Sequence, residues 1–205
     1  FDAMKAVILI SGNGSNLQSI IDSADRIDLQ ISCVISNNKN AFGLKRAESS
    51  KIQTHIIDSE LYNSKEAFDC ELINIINQHG PELIILAGYM RILTSIFISH
   101  YFGKILNIHP SLLPKFPGLN THQRALNSSD TIHGATVHFV VDKLDSGPII
   151  AQDYVNINHS DSVKTLSTKV LRKEHDLYPK IIHWYTQGRL KLINNEYATL
   201  DGRII

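Results

Sequence analysis

The sequence predicts an α/β fold, a mostly parallel sheet flanked by helices with an antiparallel C-terminal extension. Three observations predict it. Short, nearly continuous apolar runs alternate with helical patterns through the first half, as in parallel strands buried on both faces. The runs ending at Ile10, Ser36 and Ala87 stop at serine, asparagine or glycine, the punctuation of a strand-to-helix turn. After residue 130 the pattern changes to two strand-like runs with a short connector, which can only return antiparallel. The chain has 205 residues, the size of one α/β domain.

The first strand is Lys5 to Ile10. Phe1-Asp2-Ala3 before Met4 reads as an expression scar outside the domain, which is taken as 4–205. Ser11-Gly12-Asn13-Gly14-Ser15-Asn16 then leads into a helix through Leu17, Ile20 and Ile21. Strand, glycine loop and helix start present backbone N–H groups to an anion, and Ser15 or Asn16 is the expected N-cap. Leu17 stands where a third dinucleotide-binding glycine would fall, and no Gly-Lys-Ser/Thr follows. A tight turn without a ligand is the alternative reading.

Ile31 to Ser36 is the second strand, and no acidic residue follows it to hold a ribose diol. Ala41 to Ser50 reads as a helix and Thr54 to Ile57 as a short strand with a half-buried, structural His55. Ser64 caps a long helix through Phe68, Leu72, Ile75 and Ile76, ending at His79-Gly80-Pro81. Leu83 to Ala87 is the fourth strand and runs into Gly88-Tyr89-Met90-Arg91-Ile92-Leu93. Arg91 is the one cation there, and a plain surface arginine is the alternative to a binding role. Thr94 caps a short helix.

Lys104 to Ile108 is the central strand, followed by His109-Pro110-Ser111-Leu112-Leu113-Pro114-Lys115-Phe116-Pro117-Gly118. Three prolines, each with a restricted φ, make this loop stiff. Thr121 to Leu126 reads as a helix. Gly134 to Val141 and Pro148 to Val155 make a hairpin whose turn contains Leu144-Asp145-Ser146-Gly147-Pro148. Ser160 or Asp161 caps the last long helix, and Arg189 to Ile193 and Tyr197 to Leu200 are short strands.

Lys+Arg and Asp+Glu are both 20, so the net charge is zero and a nucleic-acid protein is disfavoured. No apolar run reaches the ~20 residues of a membrane span. Cys33 and Cys70 read as buried free thiols in a reducing, cytoplasmic compartment, without a Cys-x-x-Cys pair. His100, His122, His133, His159, His175 and His183 are assigned to helices or loops. They show no ligand spacing, so no metal is expected.

Asn107 and His109 differ because residues i and i+2 of a strand share a face. An amide can donate to a developing oxyanion and an imidazole can move a proton near neutral pH. Asp145, in a stiff turn, is the carboxylate expected to orient His109 and raise its pKa. No Gly-x-Ser-x-Gly elbow supplies a nucleophile. Direct attack of an amine or water on a carbonyl carbon fits. In open α/β sheets ligands bind beyond the strands' carboxyl ends. The glycine loop, Gly88–Arg91 and Asn107–His109 are therefore expected on one rim.

With these residues in place, the chain resembles the phosphoribosylglycinamide formyltransferases, a family of folate-dependent formyl-transfer enzymes. The matching stretches are 9–18, 86–93, 106–114, His133-Gly134 and 144–148. The resemblance implies a Rossmann-like formyltransferase fold with a nucleotide-binding half, 4–103, and a catalytic and folate half, 104–205. It implies transfer of the formyl group of 10-formyltetrahydrofolate, a co-substrate, to the amine of glycinamide ribonucleotide in purine biosynthesis.

His109 would be the general acid, Asn107 the oxyanion donor and Asp145 the group that raises the His109 pKa. Gly12, Asn13, Gly14, Ser15, Asn16 and Glu174 match ribonucleotide-binding positions. Lys65, Met90, Arg91, Ile92, Leu93, Asn107, Val141, Asp142, Lys143, Leu144 and Asp145 match folate-binding positions, and Leu113–Pro114 matches a cis bond.

There are departures from the family pattern. Lys65 stands where an arginine is familiar, Leu171 where a polar contact occurs, and Thr136 where serine is common. The expected partners are small molecules, with no nucleic acid and no membrane, and monomer and weak homodimer both stay open.

A formyltetrahydrofolate hydrolase shares the Asn-x-His and Asp core. It is disfavoured by the glycine loop, by Pro117-Gly118 and by the expected absence of an N-terminal regulatory domain. Methionyl-tRNA formyltransferase is disfavoured by the neutral charge and the expected absence of a C-terminal tRNA-binding domain. A non-catalytic nucleotide-binding module and a dinucleotide-dependent oxidoreductase are further alternatives. The missing third glycine and missing ribose acid count against the oxidoreductase.

Overall fold

The computed structural model describes residues 2–205. Of the expected expression scar, Phe1 lies outside the described residues, and Asp2 and Ala3 are exposed. The chain forms two compact units, one through Leu106 and one from Asn107 to Ile205.

In the first unit, β1 (Met4–Ile10), β2 (Leu29–Ser36), β3 (Thr54–Ile56) and β4 (Leu83–Leu86) alternate with α1 (Ser15–Ser23), α2 (Phe42–Ser49) and α3 (Lys65–His79). The β1–β2, β1–β4 and β2–β3 pairs are parallel. Ala6 through Ile10 are completely buried, as a strand covered on both faces requires. Helix α4 (Ser95–His100) follows β4, and the unit ends inside β5 (Ile105–His109).

The second unit begins with Asn107 to His109 of β5 and continues with α5 (Thr121–Leu126), β6 (Ile132–Phe139), β7 (Ile149–Asn156) and α6 (Val163–Thr186). The β6–β7 pair is the expected antiparallel hairpin. Strands β8 (Leu190–Leu192), β9 (Ala198–Leu200) and β10 (Arg203–Ile204) form a small sheet of order β10-β9-β8. The other seven strands run in the order β3-β2-β1-β4-β5-β6-β7. No described helix is long and apolar enough to cross a membrane.

Several local expectations need correction. Neither Ser15 nor Asn16 caps α1. Gly14, at φ 76°, is the N-cap, because the chain enters the helix through a left-handed residue. Helix α6 is capped by Ser162, whose Oγ accepts from Thr165 N (3.2 Å), while Ser162 N donates back to Thr165 Oγ1 (2.9 Å). Asp161 instead faces Lys169 at 2.7 Å.

Thr94 makes no side-chain cap. Its backbone N and its Oγ1 both donate to Asp69 Oδ2, at 2.8 and 2.7 Å, so the buried carboxylate of α3 draws the hydroxyl away. Ser64 does cap α3, accepting from Ala67 N at 3.0 Å. Cys33 is buried, but Cys70 is exposed on α3. His133 lies on β6 and is buried, rather than on a helix or loop.

Candidate active site

Residues 11–16 turn from β1 into α1 and line an open recess of about 240 Å3 together with Ala87, Gly88 and Met90. The recess sits where β1 and β4 end, and its walls are tied together. Ser11 N donates to Gly88 O (3.1 Å), and Ser11 Oγ accepts from Met90 N (2.8 Å) while donating to Asn37 Oδ1 (2.5 Å). Gly14 must be glycine twice over, for its positive φ and because a Cβ there would lie 2.6 Å from Gly43 Cα. That close approach lets Gly43 N donate to Gly12 O at 3.1 Å.

Helix α1 begins at Ser15 directly after this loop, and the N-terminal end of a helix suits an anion. Sequence reasoning missed Arg46. Its Nε donates to Asn13 O (2.9 Å) and its Nη2 to Asn13 Oδ1 (2.8 Å), so a guanidinium braces the glycine loop from α2. One cation in a helical run gives no sequence signal for this.

Arg91 is not a free surface cation. Its guanidinium lies 3.9 Å from the centroid of the Phe68 ring, stacked on α3. Met90 and Ile92 are exposed on either side of it, Leu93 is buried, and Lys65 is the exposed first residue of α3.

In the second unit Asn107, His109 and Asp145 come together. His109 Nδ1 lies 3.6 Å from Asp145 Oδ2, and both side chains are more than nine-tenths buried. On the other side, His109 Nε2 donates to Phe116 O at 2.9 Å. Both ring nitrogens therefore face oxygen atoms. Asp145 Oδ2 also accepts from Gly118 N (2.9 Å), which links its turn to the proline loop.

Asp145 has φ 49°, a conformation aspartate tolerates better than most residues. Its turn is held by Gly147, where any Cβ would run into the Phe139 carbonyl, and by Phe139 N donating to Pro148 O (3.1 Å). Val141 is buried, and Asp142, Lys143 and Leu144 are exposed.

Asn107 is oriented by a residue that sequence reasoning left out, His138 on β6. A carbonyl can only accept, so His138 Nδ1 donates to Phe139 O (2.8 Å) and its Nε2 is left as an acceptor. That nitrogen takes one hydrogen of the Asn107 amide at 3.1 Å. Burial holds the His138 pKa below the ordinary histidine value and keeps the ring in this neutral form. On a strand that also carries His133 and Thr136, one more polar residue gave no local signal for this role.

The stiffness of the proline loop has a specific cause besides its prolines. Thr136 Oγ1 donates to Ser111 O (2.7 Å) and accepts from Leu113 N (3.0 Å) and Gln152 Nε2 (2.8 Å). Leu113–Pro114 is cis, and Gln152 Nε2 also donates to Leu113 O at 2.8 Å. Replacing the hydroxyl by a methyl strands two buried backbone groups. Thr136→Val is expected to lower stability by about 1–3 kcal/mol and to reduce kcat with it. Thr136→Ser, which keeps the hydroxyl, should restore both in thermal unfolding and steady-state rates.

Comparison with known proteins follows from this geometry. Residues 4–182 match the family described as formyl transferase. The chain belongs to the formyl transferase family. Phosphoribosylglycinamide formyltransferase of Escherichia coli (strain K12) is 49% identical over 202 residues, covering 98% of this chain and 95% of that protein. A solved structure of phosphoribosylglycinamide formyltransferase from Coxiella burnetii has a TM-score of 0.94 at 47% identity, covering 98% of this chain and 95% of its own. The trifunctional purine biosynthetic protein adenosine-3 of Homo sapiens is 41% identical over 199 residues, which is 95% of this chain and 20% of that protein.

The residues expected at a site fall into two groups. In the first unit these are the recess at 12–16 and the segment 90–93 beside Phe68. In the second they are the Asn107, His109 and Asp145 group, with Glu174 buried on α6.

Proposed function

We propose that the protein transfers the formyl group of 10-formyltetrahydrofolate to the amine of glycinamide ribonucleotide, in the cytoplasm and in purine biosynthesis. The observation that carries this reading is the His109 ring, flanked by Asp145 at 3.6 Å and sharing a strand face with Asn107. Family membership supports formyl transfer, and the relatives' names support phosphoribosylglycinamide as the acceptor.

In this reading the amine attacks the formyl carbon directly. The second N–H of the Asn107 amide, not used by His138, stabilises the oxyanion. His109 gives its proton to the folate nitrogen as the bond from the formyl carbon to that nitrogen breaks. The attacking amine loses a proton to solvent, and the carboxylate of Asp145 stabilises the charged ring before the transfer. For Nε2 to act, it must exchange its bond to Phe116 O for one to substrate.

The recess at 12–16 takes the nucleotide phosphate on backbone N–H groups, with Arg46 adding positive charge, and Glu174 holds the glycinamide end. Lys65, Met90 to Leu93, Asn107 and Val141 to Asp145 contribute to folate binding. The exposed Met90 and Ile92 offer apolar surface of the kind such a ring system needs.

The test is incubation with 10-formyltetrahydrofolate with and without glycinamide ribonucleotide. Formylated product and folate release that both require the ribonucleotide are expected. Folate turnover in its absence would make the protein a hydrolase, and no turnover would make it a binding module.

Gly12→Val isolates the recess. An added Cβ meets nothing within 4 Å there, so the fold tolerates it and the side chain intrudes only on a ligand. The expected result is a rise of about tenfold in the KM for the ribonucleotide, the loss of roughly one charge-assisted hydrogen bond. The folate KM should stay near its original value. An unchanged ribonucleotide KM would remove the recess from the proposal.

A further inference from the structure

Away from the site, Cys33 of β2, His55 of β3 and His79, the last residue of α3, converge. One ligand atom from each lies within 4.8 Å of the other two. We propose that these three side chains form a binding site for a divalent cation of the zinc class, unrelated to formyl transfer. Spacing along the sequence gave no sign of it, because the three residues come from three separate elements. The fold assembles them: Ile35 pairs with His55, and Cys33, two residues back on β2, projects from the same face as Ile35.

The geometry is close to what such an ion requires. His55 Nε2 and His79 Nε2 are 3.1 Å apart. With metal–nitrogen bonds of about 2.0–2.1 Å, two imidazole nitrogens on a tetrahedron lie roughly 3.3 Å apart, so the pair is already at that spacing. A tetrahedral nitrogen–sulfur edge is roughly 3.6 Å, so the thiol has to close by about 1 Å or less. Thiolate with two imidazoles is a set that favours zinc over magnesium or calcium.

The fourth position falls to water or to Gln53. The Gln53 amide nitrogen is 3.3 Å from His55 Nε2, and the amide turned over would present its oxygen. His55 and His79 are half-buried, which leaves a path from solvent, while Cys33 closes the site from inside.

Both imidazoles must be neutral to bind, and burial together with the neighbouring His55 holds His79 below the ordinary histidine pKa. Burial pushes the Cys33 thiol up to about 12, so the free site holds a protonated thiol. Binding then forms a metal–sulfur bond, breaks the S–H bond and releases one proton to solvent. Affinity should therefore rise with pH.

Cobalt(II) titration of the full, metal-stripped and reduced chain tests this. Saturation near one equivalent is expected, with a near-ultraviolet thiolate-to-cobalt band and the visible bands of a tetrahedral ion. Zinc should displace the cobalt and raise the Tm. Cys33→Ser should abolish the thiolate band, and His79→Gln, at the last residue of α3, should weaken binding at least about tenfold. Cys70→Ser, which removes the exposed thiol, should change nothing. Absence of a saturable thiolate band, or a band lost with Cys70 and kept without Cys33, would overturn the site.

Discussion

His109→Asn is expected to lower kcat by about 10²–10⁴-fold with little change in Tm, because a positioned proton donor contributes that much to such a step. Asp145→Asn should approach the same loss for a different reason. The carboxamide oxygen can still accept from Gly118 N, now 2.9 Å from Asp145 Oδ2, and asparagine tolerates the φ of 49° as well as aspartate does. The turn therefore survives while the negative charge beside His109 Nδ1 disappears. A charge-preserving change, Asp145→Glu, moves the carboxylate and should recover only part of the rate. The measurements are kcat for both substrates and thermal unfolding of each variant. Activity within a few-fold of the parent for His109→Asn would remove the acid from the mechanism, and the same result for Asp145→Asn would remove the charge.

The chemistry of the site was legible in the sequence where it depends on near neighbours. Asn107 and His109 share a strand face by period alone, and the glycine loop declares itself by standing between an apolar run and a helix. What was illegible depends on distant residues meeting. Arg46 braces Asn13 across 33 positions and His138 orients Asn107 across 31, and neither side chain differs locally from an ordinary helical cation or strand histidine. Thr136 was visible only as a hydroxyl standing where serine is common, and its bonds to Ser111 and Leu113 give that hydroxyl a reason.

The cap errors have a single physical origin. Ser15, Thr94 and Asp161 all have capping chemistry, but a left-handed glycine, a buried Asp69 and a neighbouring Lys169 each offered a better arrangement. Convergence of Cys33, His55 and His79 is the extreme case, since each element looks unremarkable until β2, β3 and α3 are laid together.

Acid should destabilise the fold between about pH 6.5 and 4, and His133 contributes to that loss. His133 is buried on β6, and His122 Nδ1 lies 3.0 Å from its Nε2. Burial first, then the facing His122 and His109, push the His133 pKa down to about 4, while Asp130 opposes the shift. Burial and the same His109 also hold His122 below the ordinary value, and His138 is lowered by its own burial.

Above pH 6.5 the unfolded and folded chains are both neutral at these positions, and stability is at its plateau. As pH falls below 6.5 the unfolded chain binds protons that the fold refuses, so unfolding becomes easier until the folded pKa is reached. At His133 the shift from 6.5 to about 4 is worth at most roughly 3 kcal/mol.

The physical event is the loss of an acceptor. One ring of the His122–His133 pair must accept, and a second proton turns both into donors. Urea unfolding at pH 7.5, 6 and 4.5 should show the midpoint falling steeply for the parent chain. His133→Asn removes the titrating group, so its midpoint should start lower at pH 7.5 and fall less across the same interval. Carboxylates such as Asp161 and Asp201, held below their usual range by Lys169 and Arg189, contribute the same slope to both chains and cancel in the difference. Parallel curves for the two chains would show that His133 titrates alike in both states and would end this account of acid sensitivity.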